Sequence, residues 1–156
     1  MTEPLLAAYE DGLRTLAKLD EMVLAIAKKD VICRRLMTVP GVGPVVALAY
    51  RTGVDVAHRF DKSRLVAAVF GLTPRVHASG EVELFGRITR CGDAMVHALL
   101  YEAANVMMTR CRLKVARRHG ARKAKVALAR RLAVVMHRMW VDGTDFFMKR
   151  PASTTV

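Results

Sequence analysis

Five consecutive residues, Pro40-Gly41-Val42-Gly43-Pro44, cannot sit inside a helix or a strand. Each proline lacks a backbone N–H and fixes its own φ, and each glycine opens conformations that a side chain would close. Whatever folds around them is therefore two elements joined by a tight bend. Upstream, Ile32 to Met37 has the length of a short helix. Downstream, Pro44 suits the first turn of a second helix, where the missing N–H is of no consequence. That helix is predicted to run from Val45 to about Tyr50 and to end near Gly53.

An apolar-Pro-Gly-apolar-Gly run, with a small residue (Ala47) four positions on, has the pattern of a helix-hairpin-helix over residues 32–50. Two glycines let the main chain turn and approach a phosphate with no side chain in the way. The free N–H groups of the following helix then donate to phosphate oxygens, aided by the helix dipole. Gly41, Val42 and Gly43 are thus candidate contacts to a DNA backbone, with Val39 and Val42 anchoring the bend to the core. Such contacts position a strand without reading its bases. A plain glycine turn between helices is the competing explanation, and charge weighs against it.

The chain carries 26 Lys and Arg against 14 Asp and Glu, a net charge of +12. Placement matters more than the sum. No acid lies between Glu102 and Asp142, whereas eleven cations do: Arg110, Arg112, Lys114, Arg117, Arg118, Arg122, Lys123, Lys125, Arg130, Arg131 and Arg138. Such a stretch repels itself unless a polyanion lies against it, and phosphates neutralised there release condensed counterions. Arg130 and Arg131 are candidate backbone contacts on the last helix. A membrane surface is a poorer partner, because the stretch lacks an aromatic face and no apolar run reaches the roughly 18 residues of a span. The leading MTEPLLAAYEDGL has no basic n-region, and Cys33, Cys91 and Cys111 have neither zinc nor disulfide spacing. The expectation is a cytoplasmic, nucleoid-associated protein with reduced thiols.

The remaining pattern is mainly α. Residues 5–28 form an amphipathic helix with Leu6, Tyr9, Leu13, Leu16 and Val23 on one track and Leu5, Leu19 and Ile26 beside it. This coiled-coil-like arm, residues 1–30, is read as a packing or dimerisation element, and so as the source of a homo-oligomer. A domain follows over residues 31–148, and 149–156 is a loose tail. Asp61 is a candidate cap for a helix carrying Leu65, Val66, Val69 and Phe70, which Gly71 closes. Residues 75–90 lack helical periodicity and suit a short β-hairpin or ordered loop. Asp93 starts a core helix through Met95, Val96, Leu99, Leu100, Ala103, Val106 and Met107. Lys123 to Trp140 is the last helix, with Leu128, Leu132, Val135, Met136 and Met139 on one face, Arg130, Arg131 and Arg138 opposite, and Gly143 as its stop.

Ser79-Gly80 falls in the irregular segment among Arg75, His77, Arg87 and Arg90. Serine before glycine is ordinarily a turn residue. Arginines beside it could also neutralise a phosphodiester and favour an alkoxide nucleophile. His77 has no orienting acid and is incidental. Glu81 and Glu83 alone do not make a two-metal site, and no metal site is expected in this chain.

Five blocks in order, LMTVPGVGPVVALAYRTGVD, RFDKSRLVAAVFGLTPR, SGEVELFGRITRCGD, LLYEAANVM and KVALARRLAVVMHRMWVDGTDF, resemble the C-terminal part of insertion-sequence transposases of the IS110 group, including the IS116 branch. The resemblance runs from about Leu5 to Phe147. It implies a two-part enzyme, in which an N-terminal acid-bearing domain holds Mg2+ and a coiled-coil linker leads to the C-terminal domain. It further implies that Ser79 attacks DNA to form a covalent phosphoserine link, that Gly80, Gly86, Gly92 and Arg87 belong to the same motif, and that an element-encoded guide RNA is a partner. Residues matching the acidic domain are absent, MMTRCRLKVARRHG is shorter than in relatives, and His97 stands where they tend to have arginine. A truncated or decayed copy, with no cofactor of its own and inactive alone, is the expectation.

Overall fold

The structure is a computed structural model, and it describes residues 3–79, 82–89, 91–111 and 120–147. The chain begins with α1, Glu3–Lys29, about 40 Å long at 1.5 Å per residue. Its apolar track is the one expected, yet residues 3–22 are all exposed. Only Val23, Leu24 and Ala27, near its end, are withdrawn from solvent where α1 meets the next two helices. Asp30 then restarts the chain: its carboxylate accepts from the Ile32 N–H at 2.8 Å and caps α2, Val31–Leu36.

After the proline-glycine bend comes α3, Pro44–Val54. It ends at Val54, one residue after Gly53, near which the stop was expected. A Cβ on Gly53 would lie 3.1 Å from the Phe70 ring and 3.2 Å from Val96, so this glycine makes room for neighbours rather than ending a helix. A 3-10 turn at Ala57–Arg59, not anticipated from the sequence, leads to α4, Ser63–Val69. Asp61 does not cap α4; Lys62 holds the cap position, with no side-chain bond. Gly71 closes the helix as expected at φ 65, where the N–H groups of Gly71 and Leu72 turn back to the carbonyls of Ala68 and Ala67.

Of the hairpin or ordered loop expected over residues 75–90, the structure shows two paired strands: β1, Pro74–Ser79, antiparallel to β2, Val82–Ile88. Asp93 caps α5, Ala94–Arg110, accepting from the N–H groups of Met95 and Val96 at 2.8 and 3.1 Å. α5 is the central helix and buries Val96, Leu100, Ala103, Ala104 and Met107, although Met95, expected in the core, is exposed. The last described helix is α6, Ala121–Asp142, which Gly143 ends at φ 69. Leu132, Met136 and Met139 are buried in it and Leu128 and Val135 half-buried.

The core lies where α3, α4, α5 and α6 meet, around Tyr50, Phe70, Leu72, Leu100 and Met136. Tyr50 donates its hydroxyl to the Ala133 carbonyl at 2.6 Å, a buried tie between α3 and α6. Among the described residues no helix is long and apolar enough to cross a membrane.

Candidate nucleic-acid interface

Val39 and Val42 are buried, as expected of anchors, and hold the bend between α2 and α3. Its two glycines have different duties. Gly41 adopts φ 89, and a Cβ on it would lie 2.5 Å from the Ala103 carbonyl oxygen and 3.2 Å from the Met107 nitrogen. Close approach to the α5 backbone, not to a ligand, demands glycine there. Gly43 is extended, at φ −92 and ψ −179, and a Cβ would meet nothing within 4 Å. Val42 uses its N–H inside the bend, donating to the Val39 carbonyl at 3.0 Å, so it contributes as an anchor alone. The first bond of α3 runs from Ala47 to the Gly43 carbonyl. Among the described residues, the N–H groups of Gly43, Val45 and Val46 take no partner, leaving three donors at one helix start.

Several cations are engaged within the fold. Arg51 donates to the Asp55 carbonyl at 2.6 Å, lies 3.6 Å from the Asp30 carboxylate and covers the Trp140 ring at 4.6 Å. Arg35 pairs with Asp145 at 3.7 Å, while Phe146 donates its N–H to the Thr38 hydroxyl at 3.0 Å. The segment after α6 is thereby laced to the turn after α2.

Other cations converge between α4 and α6. Two adjoining hollows share Arg64 and Val134. One, about 350 Å3, is lined also by Ala67, Thr73, Arg130 and Arg131; the other, about 620 Å3, by Asp61, Lys62, Ser63 and Arg138. Arg64, Arg131 and Arg138 are exposed. Arg130 is half-buried, its Nε donating to the Leu72 carbonyl at 2.9 Å. It is thus tied to the chain after α4 and does not stand clear of the fold on the helix's outer side. Among the described residues none of these five cations is in an ion pair.

Beneath the hollows lies His137, 1% exposed. Its Nε2 is 3.0 Å from the Ala57 carbonyl and its Nδ1 is 3.0 Å from the Ser63 hydroxyl. A carbonyl can only accept, so Nε2 donates to Ala57, and in the neutral ring Nδ1 then accepts from the Ser63 hydroxyl. Sequence reasoning missed this pair. The two residues are 74 positions apart and no spacing joins them.

Ser79 is the last residue of β1, its backbone paired with Val82. The register slips between Pro74–Ile88 and Val76–Phe85, so Gly86 and Arg87 together lie across from Arg75. Arg75 and Arg87 are exposed at the base of the ribbon, where Arg75 donates to the Thr89 carbonyl at 3.3 Å. Ser79 is four residues farther along β1, about 13 Å at 3.3 Å per residue. Of the residues expected around the serine, Arg75 and Arg87 thus sit together but apart from it. Gly80, Glu81 and Arg90 lie outside the described residues, as do Arg112, Lys114, Arg117, Arg118 and the tail. Gly92, at φ 100, fills a place where a Cβ would overlap the Val69 carbonyl oxygen. Among the described residues no three His, Cys, Asp or Glu gather closely enough to hold a metal ion.

Comparison with known proteins gives this arrangement a setting. The chain is 32% identical over 127 residues to the transposase for insertion sequence element IS1111A of Coxiella burnetii, covering 75% of this chain and 35% of that protein. It is 29% identical over 127 residues to the transposase for insertion sequence element IS1328 of Yersinia enterocolitica, covering 75% of this chain and 38% of that protein. The matching stretch thus spans little more than a third of either relative. A family profile also matches residues 33–138, from α2 through the bend, the ribbon and α5 into the basic face of α6. On that match the chain belongs to the IS116/IS110/IS902 family of transposases.

Proposed function

We propose that this chain is the DNA-binding C-terminal part of an insertion-sequence transposase, acting in DNA transposition and recombination. The observation that carries the reading is the trio of unpartnered N–H groups at Gly43, Val45 and Val46, next to an open glycine, in a family of transposases. Three amides beside a positive helix end donate to a phosphate group and read no bases. Arg75, Arg87 and Arg131, all exposed, add sequence-independent affinity. An element-encoded guide RNA is a further partner on the same reading, and exposed α1 is the arm through which copies associate. The test is binding of the 156-residue chain to 30-base-pair duplexes of unrelated sequence, followed by fluorescence anisotropy at several salt concentrations. Comparable affinities that fall steeply with salt are expected; affinity that ignores salt refutes the reading.

The chemistry proposed for the family serine is attack by the Ser79 oxygen on a DNA phosphorus. A serine–phosphate bond forms as one deoxyribose–phosphate bond breaks, and the departing strand end takes up a proton. A second reading, a helix-hairpin-helix module without chemistry, is favoured by the distance of Arg75 and Arg87 from Ser79 along the ribbon. Trapping on element-end DNA separates the two: a covalent adduct that Ser79→Ala abolishes supports attack, and none, even with the acid-bearing domain supplied, leaves the binding module.

A further inference from the structure

Lys62 and Arg64 from α4 and its approach, and Arg130, Arg131 and Arg138 from α6, line hollows that lie side by side along α6. On α6, residues 130, 134 and 138 form one i, i+4 row, with Arg131 beside it. From Arg131 to Arg138 is seven residues, about 10 Å at 1.5 Å per residue. A strand laid along the groove follows a contour longer than its roughly 3.4 Å axial rise per nucleotide, so that length meets about two or three phosphates. Between the cations the lining is Ala67, Thr73, Ala127 and Val134, a mostly apolar floor against which a sugar edge can rest. Asp61 is the one carboxylate in either lining, and it is exposed in the hollow beside Arg138.

Two further features organise the groove. The bond from Arg130 to the Leu72 carbonyl fixes that guanidinium before any ligand arrives, which lowers the ordering cost of binding. Ser63 directs its proton to His137, so the cations, rather than this hydroxyl, must meet an anion in the groove.

We infer that the α4–α6 groove is a second seat for DNA, holding the sugar-phosphate backbone of one strand over about two or three phosphates while the bend before α3 holds another point of the duplex. This rests on the proposed DNA-binding function and adds to it a surface of named residues. The exposed cations Arg64, Arg131 and Arg138 carry the contact.

The test compares two triple variants of the whole chain with equal loss of charge. One is Arg64→Gln, Arg131→Gln and Arg138→Gln; the other is Arg14→Gln, Lys18→Gln and Lys28→Gln, at exposed positions on α1. Arg130 is left intact because of its internal bond. Thermal melting checks that both fold, and anisotropy measures affinity for a 30-base-pair duplex and for RNA of the same sequence as salt is varied. The groove variant is expected to lose on the order of tenfold or more in duplex affinity, and its slope of log affinity against log salt to shrink by about 2 to 3. The α1 variant should change the slope by less than about 1. Equal losses in the two variants overturn the groove and leave DNA binding standing. Loss of RNA affinity with duplex affinity untouched also overturns it, and an unmutated chain that binds no duplex overturns both readings.

Discussion

Nδ1 of the buried His137 receives the hydroxyl proton of Ser63 across 3.0 Å, joining α4 to α6 beneath the cationic hollows. Ser63→Ala removes this partner and leaves the imidazole nitrogen unsatisfied in the interior. A loss of about 1–3 kcal/mol is expected, or roughly 2–4 °C in Tm for each kcal/mol in a chain of this size. Duplex affinity should stay within about twofold, because the hydroxyl proton is already committed. Differential scanning calorimetry and anisotropy on the same preparation check both halves, and an unchanged Tm would remove the bond from the stability of the fold.

Gly41 and Gly43 should respond oppositely to alanine. At Gly41 the left-handed conformation and the nearby Ala103 carbonyl both resist a methyl group, and the combined cost is about 2–4 kcal/mol. Gly43→Ala meets open space at an ordinary φ, so folding stability should be kept, with a gain of at most about 1 kcal/mol from a stiffer unfolded chain. Its effect should appear in binding, where a new Cβ stands between the amides and a phosphate. Chemical denaturation and duplex titration of the two variants measure this. Weak binding by Gly41→Ala alone, at intact stability, would reverse the assignment.

Tyr50→Phe keeps the ring against Phe70 and deletes only the bond to Ala133. Since Ala133 lies inside α6, its carbonyl has a helical donor as well, and the expected cost is about 1 kcal/mol, read as a lowered urea midpoint with an unchanged m-value. Burial holds the phenol well above the usual tyrosine range, so Tyr50 should not contribute to alkaline absorbance changes until the protein unfolds.

The thiols should separate cleanly. Burial, with the Asp30 carboxylate adding to it, pushes Cys33 from about 9 up to about 12, while Cys91 is exposed. Iodoacetamide at pH 8, followed by mass spectrometry, should label Cys91 and spare Cys33 in the folded chain. Because the folded value is the raised one, the contribution of Cys33 to stability is whole below pH 9 and is lost as pH climbs toward 12. Labelling of Cys33 at a rate matching Cys91 would contradict its burial.

Local signals were readable in the sequence where a residue acts on its own neighbours. Asp93 as a cap, Gly71 and Gly143 as helix ends, and Val39 with Val42 as anchors follow from short-range geometry. Long-range demands were not readable in the same way. Gly41 matches a phosphate-approach pattern, but the same residue serves equally when a neighbouring helix must come close, and only the position of Ala103 tells the two apart. Gly53 has the look of a stop, yet Phe70 and Val96 require its missing side chain inside α3. Periodicity puts Arg130 on an outer face of α6, without knowledge that Leu72 ends a turn beside it. The pairing of Ser63 with His137 leaves no trace in spacing. In α1 the apolar track is plain in the sequence, while its exposure over residues 3–22 is not.

The Tyr50 rivet has a mechanical consequence. α3 carries the open amides at its start and α6 carries the arginine row, and the buried phenol fastens one to the other near their midpoints. Neither surface is free to slide toward a ligand, so their spacing works as a ruler: a duplex seated at both must bring its own strands to that interval, by choosing its rotation or by bending.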